Sequence, residues 1–238
     1  ALTTTQLSKL STTLISKLST DQIVALTNDQ VKALTTTQVA SLTSEQLNGM
    51  ASDDLQALTT TQVKSLTTDQ INKLTSDQIN TLTTQQVQAL STAQINALNS
   101  DQLNAMASDD LQALTTLQVS KLSNTQIADL STDQIVALTN DQVKALTTSQ
   151  VASLTSDQLN SMASDDLQAL TTAQIKALTS GQIGDLSSTQ ISLMETADIA
   201  ALSSAQASKL STDAIAALTT DQAKALSSAA LNALSNDQ

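Results

Sequence analysis

The sequence predicts an all-α solenoid, a superhelix of very short helices with one helix per eight-residue repeat. Three observations carry that expectation: an unbroken octapeptide period, a helix-start signal inside every period, and a polar sorting of charge along it. From Leu2 to Leu234 every eighth residue is Leu or Met, without one insertion or deletion, giving 29 complete octads of the form Leu-Thr-Thr-Asp-Gln-Ile-x-Ala. LSTDQIVA at 18–25 and LTNDQVKA at 26–33 are typical. A repeat this short builds a one-dimensional stack in which each unit is stabilised by its neighbours, not a chain collapsed around a globular core.

The octad, numbered from its Leu, reads as a complete helix start. Position 2 is Ser or Thr in 24 of 29 octads and position 5 is Gln in 22. That spacing is the capping box, in which the hydroxyl accepts from the backbone N–H three residues on and the Gln reaches back to the cap's own N–H. Positions 1 and 6 then occupy the two sites of a hydrophobic staple, as in Leu18 with Ile23 and Leu26 with Val31. Charge follows the same polarity. Of 22 acidic residues, 19 lie at positions 4 or 5, while all ten lysines, among them Lys9, Lys32, Lys73 and Lys144, lie at positions 7 or 8. Acids in the first helical turn and cations in the last are what the helix dipole favours.

Other architectures fit less well. In a continuous helix positions 1 and 6 would stand about 140° apart and drift roughly 80° per octad, so no apolar stripe and no coiled coil results. In a strand the same positions have opposite parity and face opposite sides. A β-solenoid stands as the alternative, although its corners would normally call for Gly or Asn, and Gly occurs only three times. In the favoured arrangement Leu, Ile and Val line the axis, small residues at position 8 (Ala25, Ala33, Ser41) let helices approach, and Thr, Ser, Asp, Gln and Asn cover the outside.

The octads also repeat every seventh. MASDDLQALTT stands at 50–60, 106–116 and 162–172, a spacing of 56 residues, and segments 18–60 and 130–172 differ at three positions. Ala51, Ala107 and Ala163 replace the hydroxyl cap there, and Asp54, Asp110 and Asp166 replace the Gln. Ser52 is expected to cap one residue late, giving a shortened or tilted helix. Gene duplication alone accounts for the 56-residue period. If seven octads instead make two superhelical turns, the octads of Met50, Met106 and Met162 fall on one face as a stripe for lateral contact. From about residue 194 the pattern loosens, with Ala207, Ala214, Ala223 and Ala230 at core or cap-partner positions. Residues 1–238 are thus read as one octapeptide array. Ala1 enters in mid-octad and Gln238 leaves in mid-octad, which predicts a segment of a longer protein.

Composition narrows the function. The chain has no Phe, Tyr, Trp, Cys, His, Pro or Arg and a net charge of −12. Nucleic acids and anionic membranes prefer basic surfaces, so neither is an expected partner, and no apolar run reaches the roughly 18 residues of a membrane helix. Thiol and imidazole chemistry is missing, and the abundant hydroxyls have no activating base. The Asp53–Asp54 pair and its copies raise calcium, but acids at a helix start need no metal and the spacing matches no calcium loop. No enzyme activity, catalytic residue, cofactor, metal site or small-molecule substrate is expected. Rows of Thr at position 3 (Thr12, Thr20, Thr36, Thr60) form a regular hydroxyl array suited to polysaccharide, ice or mineral surfaces.

The run LTTTQVKSLTTDQINKLTSDQINTLTTQQVQAL at 58–90 resembles the Leu-Thr-Thr-x-Gln-Val/Ile repeat tracts of large secreted or surface-attached proteobacterial proteins, and the likeness extends over the whole chain. The resemblance implies an extracellular, adhesin-like placement and a spacer or adhesive role, and it supplies no site residues. The function expected is a non-catalytic structural element, a stalk or self-assembling fibre of the bacterial cell surface. Its partners would be copies of itself or flanking domains. The alternative is a module presenting a regular Thr/Ser/Asp face to a polysaccharide, to ice or to a partner protein.

Overall fold

Each octad turns once into helix and once out of it, and octad 58–65 shows how. In the computed structural model, which describes residues 2–238, helix α8 spans Thr60–Ser65. Thr59 is its N-cap, with φ −68° and ψ 157°, and its side chain accepts from the Gln62 N–H. The Gln62 Oε1 accepts from the Thr59 N–H at 2.7 Å, closing the capping box. Leu66 ends the helix in an extended conformation, with φ −57° and ψ 138°, while its N–H donates to the Val63 carbonyl at 3.2 Å. Leu66 and Thr67 together form a two-residue extended link to α9, Thr68–Lys73. Among the described residues no φ is positive. The corner is made entirely from backbone conformations open to any L-residue, so it needs neither Gly nor Pro.

Twenty-nine such helices follow one another among the described residues, from α1 (Thr4–Ser8) to α29 (Ser228–Leu231), with no strand. The all-α repeat architecture is therefore the observed one, and the β-solenoid alternative is excluded. Within octad 58–65, Leu58, Gln62 and Val63 are buried, Thr59, Thr60, Thr61 and Lys64 are exposed, and Ser65 is intermediate. One expectation fails here. Gln38, Gln46, Gln62, Gln94 and Gln102, expected on the outer surface, are buried. The capping box uses only the carbonyl half of the amide; the NH2 half still needs an acceptor, and it finds one in the neighbouring turn.

The chain forms two compact units, the first ending at Leu122 and the second running from Ser123 to Gln238. In the first, α5 (Thr36–Ala40) packs on α8, and α8 on α11 (Thr84–Ala89), three octads apart. The Gln side chains reach further back. Gln62 Nε2 donates to the carbonyls of Val31 at 2.9 Å and Leu34 at 2.8 Å. Gln94 Nε2 does the same to Val63 at 2.9 Å and Leu66 at 2.7 Å. A turn of the coil thus closes after more than three and fewer than four octads. The rung to the Leu carbonyl spans 28 residues, half of the 56-residue period, so Met50 and Met106 of this unit lie two rungs apart. Their side chains are not a contact stripe, however. Both methionines are buried in the core, and what their octads show to solvent at that turn is Ala51, Ser52 and Asp53.

The second unit repeats the arrangement. Its α19 (Thr148–Ser153) packs on α22 (Thr172–Ala177), α22 on α25 (Thr196–Ala201), and α25 on α28 (Thr220–Ala225). Gln158, Gln174 and Gln206 each donate to two carbonyls, 31 and 28 residues back. The shortest helices occur where octad position 5 or 6 has lost its usual residue. α2 (Thr12–Ile15) has Leu14 in place of Gln, α26 (Ser204–Ala207) has Ala207 in place of the aliphatic, and α29 has Ala230 in place of Gln. Each is four residues long.

The rungs should therefore carry much of the stability. Gln94→Ala is expected to cost about 2–4 kcal/mol, since it removes two rung bonds and leaves the Ser91 N–H without its acceptor. Gln94→Glu keeps that acceptor and loses the donor, so its cost should fall on acidification. Urea unfolding followed by circular dichroism at neutral and acid pH reads both. Two glycines of α23 (Ser180–Asp185) give a second test. A Cβ at Gly184 would stand 2.9 Å from the Lys209 carbonyl oxygen, whereas one at Gly181 meets nothing nearer than 3.8 Å. Gly184→Ala should lower stability by about 1–3 kcal/mol, while Gly181→Ala should raise it by up to about 1 kcal/mol.

Candidate functional site

Two kinds of place depart from the regular octad: interrupted rungs inside the coil, and a groove on its surface. The interruptions follow a rule visible in the sequence. The chain's four methionines, Met50, Met106, Met162 and Met194, head octads whose position 5 is Asp (Asp54, Asp110, Asp166, Asp198) and whose position 2 is never Ser or Thr. Sequence reasoning singled out the first three aspartates and missed Asp198, although Met194 was the available signal.

The structure corrects the expectation of a late cap. In the first unit α7 (Ser52–Ala57) and α14 (Ser108–Ala113), and in the second α21 (Ser164–Ala169) and α25, are full six-residue helices. Ser52 is the first helical residue, not the cap. Ala51, Ala107, Ala163 and Glu195 hold the N-cap positions without a side-chain cap bond. The helix keeps its phase because Met50 and Leu55 remain buried at the two core positions, and burial outweighs one lost cap bond of about 1 kcal/mol.

All four aspartates are buried. In the rung register, residue 54 belongs to the carbonyls of Ile23 and Leu26, 31 and 28 residues back. An ionised carboxylate accepts only and cannot donate to them. It is also one methylene shorter than Gln. The Asp54 Oδ2 accepts from the Ala51 N–H at 3.3 Å, against 2.7 Å for Gln62 and Thr59. Burial is the largest influence on these groups and pushes all four carboxyls above their ordinary range. The adjacent Asp53, Asp109 and Asp165 add to the rise at the first three. The folded chain then holds these protons more tightly than the unfolded chain. The resulting penalty is absent below the ordinary aspartate range, grows as pH rises through it to the raised native value, and is complete above.

The aspartate pairs considered for calcium are split by this geometry, since Asp53 faces solvent and Asp54 faces the core. Among the described residues no three carboxylates converge. On the outer surface, the expected hydroxyl array is partly assembled. Thr12, Thr36 and Thr60 lie exposed on α2, α5 and α8, which stack in one column. Thr20 lies on α3 (Thr20–Val24), outside that column, and is half-buried. Beside the column a shallow groove of about 590 Å³ is lined by Thr60, Thr61, Lys64, Thr92, Thr115 and Leu117 among others. Leu117 is 59 % exposed, at an octad position normally held by Asp, Thr or Ala. Sequence reasoning did not find this groove, because its walls come from octads far apart in the chain. In the second unit, a smaller polar groove is lined by Asn140, Lys144, Asp165, Gln168, Ala169 and Glu195. Among the described residues no helix is long and apolar enough to cross a membrane.

The ALTTAQ repeat model matches the chain at residues 1–36, 48–84, 80–108, 103–140, 159–193 and 191–228, together well over half of its length. No curated protein matches it.

Restoring a rung should stabilise the coil. Asp54→Gln and Asp110→Gln are each expected to raise the stability of the first unit by about 1 kcal/mol at neutral pH. The gain should shrink as pH falls through the aspartate range, and urea midpoints across that range would show it.

Proposed function

The chain belongs to the ALTTAQ repeat family, and from that premise we propose that it is a non-catalytic structural protein of the bacterial cell surface, a stalk or self-assembling fibre whose length is set by repeat number. The observation that carries this reading is the rung itself. Each unit repeats the same two carbonyl acceptors and the same buried amide turn after turn, so octads can be added without any new design of contacts. Near-identical octads also present near-identical surfaces at regular intervals, which suits extension and assembly with copies of the same chain or with flanking domains. The outward positions are mostly hydroxyls, amides, carboxylates and lysines, and the hydroxyls have no imidazole to activate them, which supports a role that is mechanical, not chemical.

A second reading, a surface-binding module of adhesin type, is favoured by one observation. Exposed Thr12, Thr36 and Thr60 form a column that runs beside the Thr60–Leu117 groove, a hydroxyl-rich face suited to an extended polyhydroxylated ligand.

Negative-stain electron microscopy of the purified chain at physiological salt, with and without calcium, separates these readings. Uniform filaments are expected for a fibre and isolated short rods for a stalk section. Compact particles that bind immobilised polysaccharide and form neither rods nor filaments would replace the structural reading with the adhesive one. Surface labelling of intact cells tests the location.

A further inference from the structure

Asp198 differs from every other residue at the rung position. It is 3 % exposed, and its Oδ1 is the one buried side-chain oxygen or nitrogen among the described residues that has no hydrogen-bond partner. The Thr172 hydroxyl and the Glu195 backbone N–H favour the ionised carboxyl, yet neither is a partner of Oδ1. In the rung register this residue answers to the carbonyls of Leu167 and Leu170, 31 and 28 residues back, where Gln206 and Gln174 present amide donors to the equivalent groups of their own turns. An ionised Asp198 brings a second acceptor to a place built for a donor, and a buried charge without a partner is costly.

The charged groups around it do not relieve that cost. Helix α25 packs on α22, which carries Lys176, and on α28, which carries Asp221 and Lys224. The preceding α21 carries Asp165 and Asp166, and Glu195 sits at the N-cap of α25 itself. Both lysines are exposed. The charge felt at the carboxyl is that of Glu195, which opposes ionisation.

We infer that Asp198 is a proton-operated rung: one solvent proton bound at Oδ1 neutralises the buried carboxyl, converts an unpartnered acceptor into a donor and seats α25 against the preceding turn. Loss of the proton leaves a buried charge that α25 relieves by opening. The coil thereby has a defined place at which acidification tightens it, whatever load the array carries.

Hydrogen exchange read by mass spectrometry on the full chain tests this directly, because METADIAAL at 194–202 occurs once in the sequence. After correction for the pH dependence of intrinsic exchange, this segment should exchange several-fold more slowly at about pH 4 than at about pH 7.5. Asp198→Asn, neutral and with a donor of nearly the same shape, should be protected at both pH values. Asp198→Gln, which restores the usual rung, should behave the same way if the Asn variant folds poorly. A wild-type segment with no pH response, or one whose response survives in both variants, would overturn the inference. So would wild-type protection restored at neutral pH by millimolar calcium or sodium as fully as by acid, since Oδ1 would then be a cation ligand.

Discussion

The structure depends on one use of a primary amide. A helix of six residues leaves its last carbonyls without intrahelical partners, and stacking the next turn above them removes the water that would otherwise satisfy them. Gln at position 5 resolves both ends of that problem. Its Oε1 accepts from the N-cap N–H of its own octad, and its Nε2 donates to two carbonyls of the turn before, as Gln62 does to Thr59, Val31 and Leu34. Ionised Glu and Asp lack the donor, Asp is also one methylene shorter, and Leu14, Ala214 and Ala230 bring no polar side chain to that position.

The core around this ladder is thin. Most octads contribute one aliphatic that is almost completely buried, such as Val63 or Ile95, and one Leu or Met nearly as buried, with no aromatic anywhere. Such a coil cannot rely on apolar area alone, so satisfied polar contacts between turns complete it. Defects stay local for the same reason. At Met50 and Asp54 the cap hydroxyl and the rung donor are both missing, yet α7 keeps its length because Met50 and Leu55 still occupy the core. The four Met–Asp octads are places where the array retains its shape and loses some of its cohesion, and the structure offers no reason why Met in particular accompanies Asp.

The candidate surface was less legible than the fold. That Thr12, Thr36 and Thr60 share a column depends on helices packing three octads apart, a number the octad period does not contain. The groove beside Leu117 depends on the same stacking. By contrast, the split of the Asp53–Asp54 pair into one exposed and one buried carboxylate follows from the octad's own geometry, because position 4 faces out wherever position 5 faces in.

The sequence by itself determined what is local. The hydroxyl and Gln three residues apart set where each helix starts, the acids and lysines set its polarity, and the eight-residue period set its length, because each of these acts within one turn of helix. What only the tertiary structure decided is everything that acts between turns: the closure of a turn after more than three octads and fewer than four, the burial of Gln, and the isolation of Asp198. A capping box looks the same whether its Gln faces water or a neighbouring carbonyl. The distinction lies in the second half of the amide, and its partner is some thirty residues away.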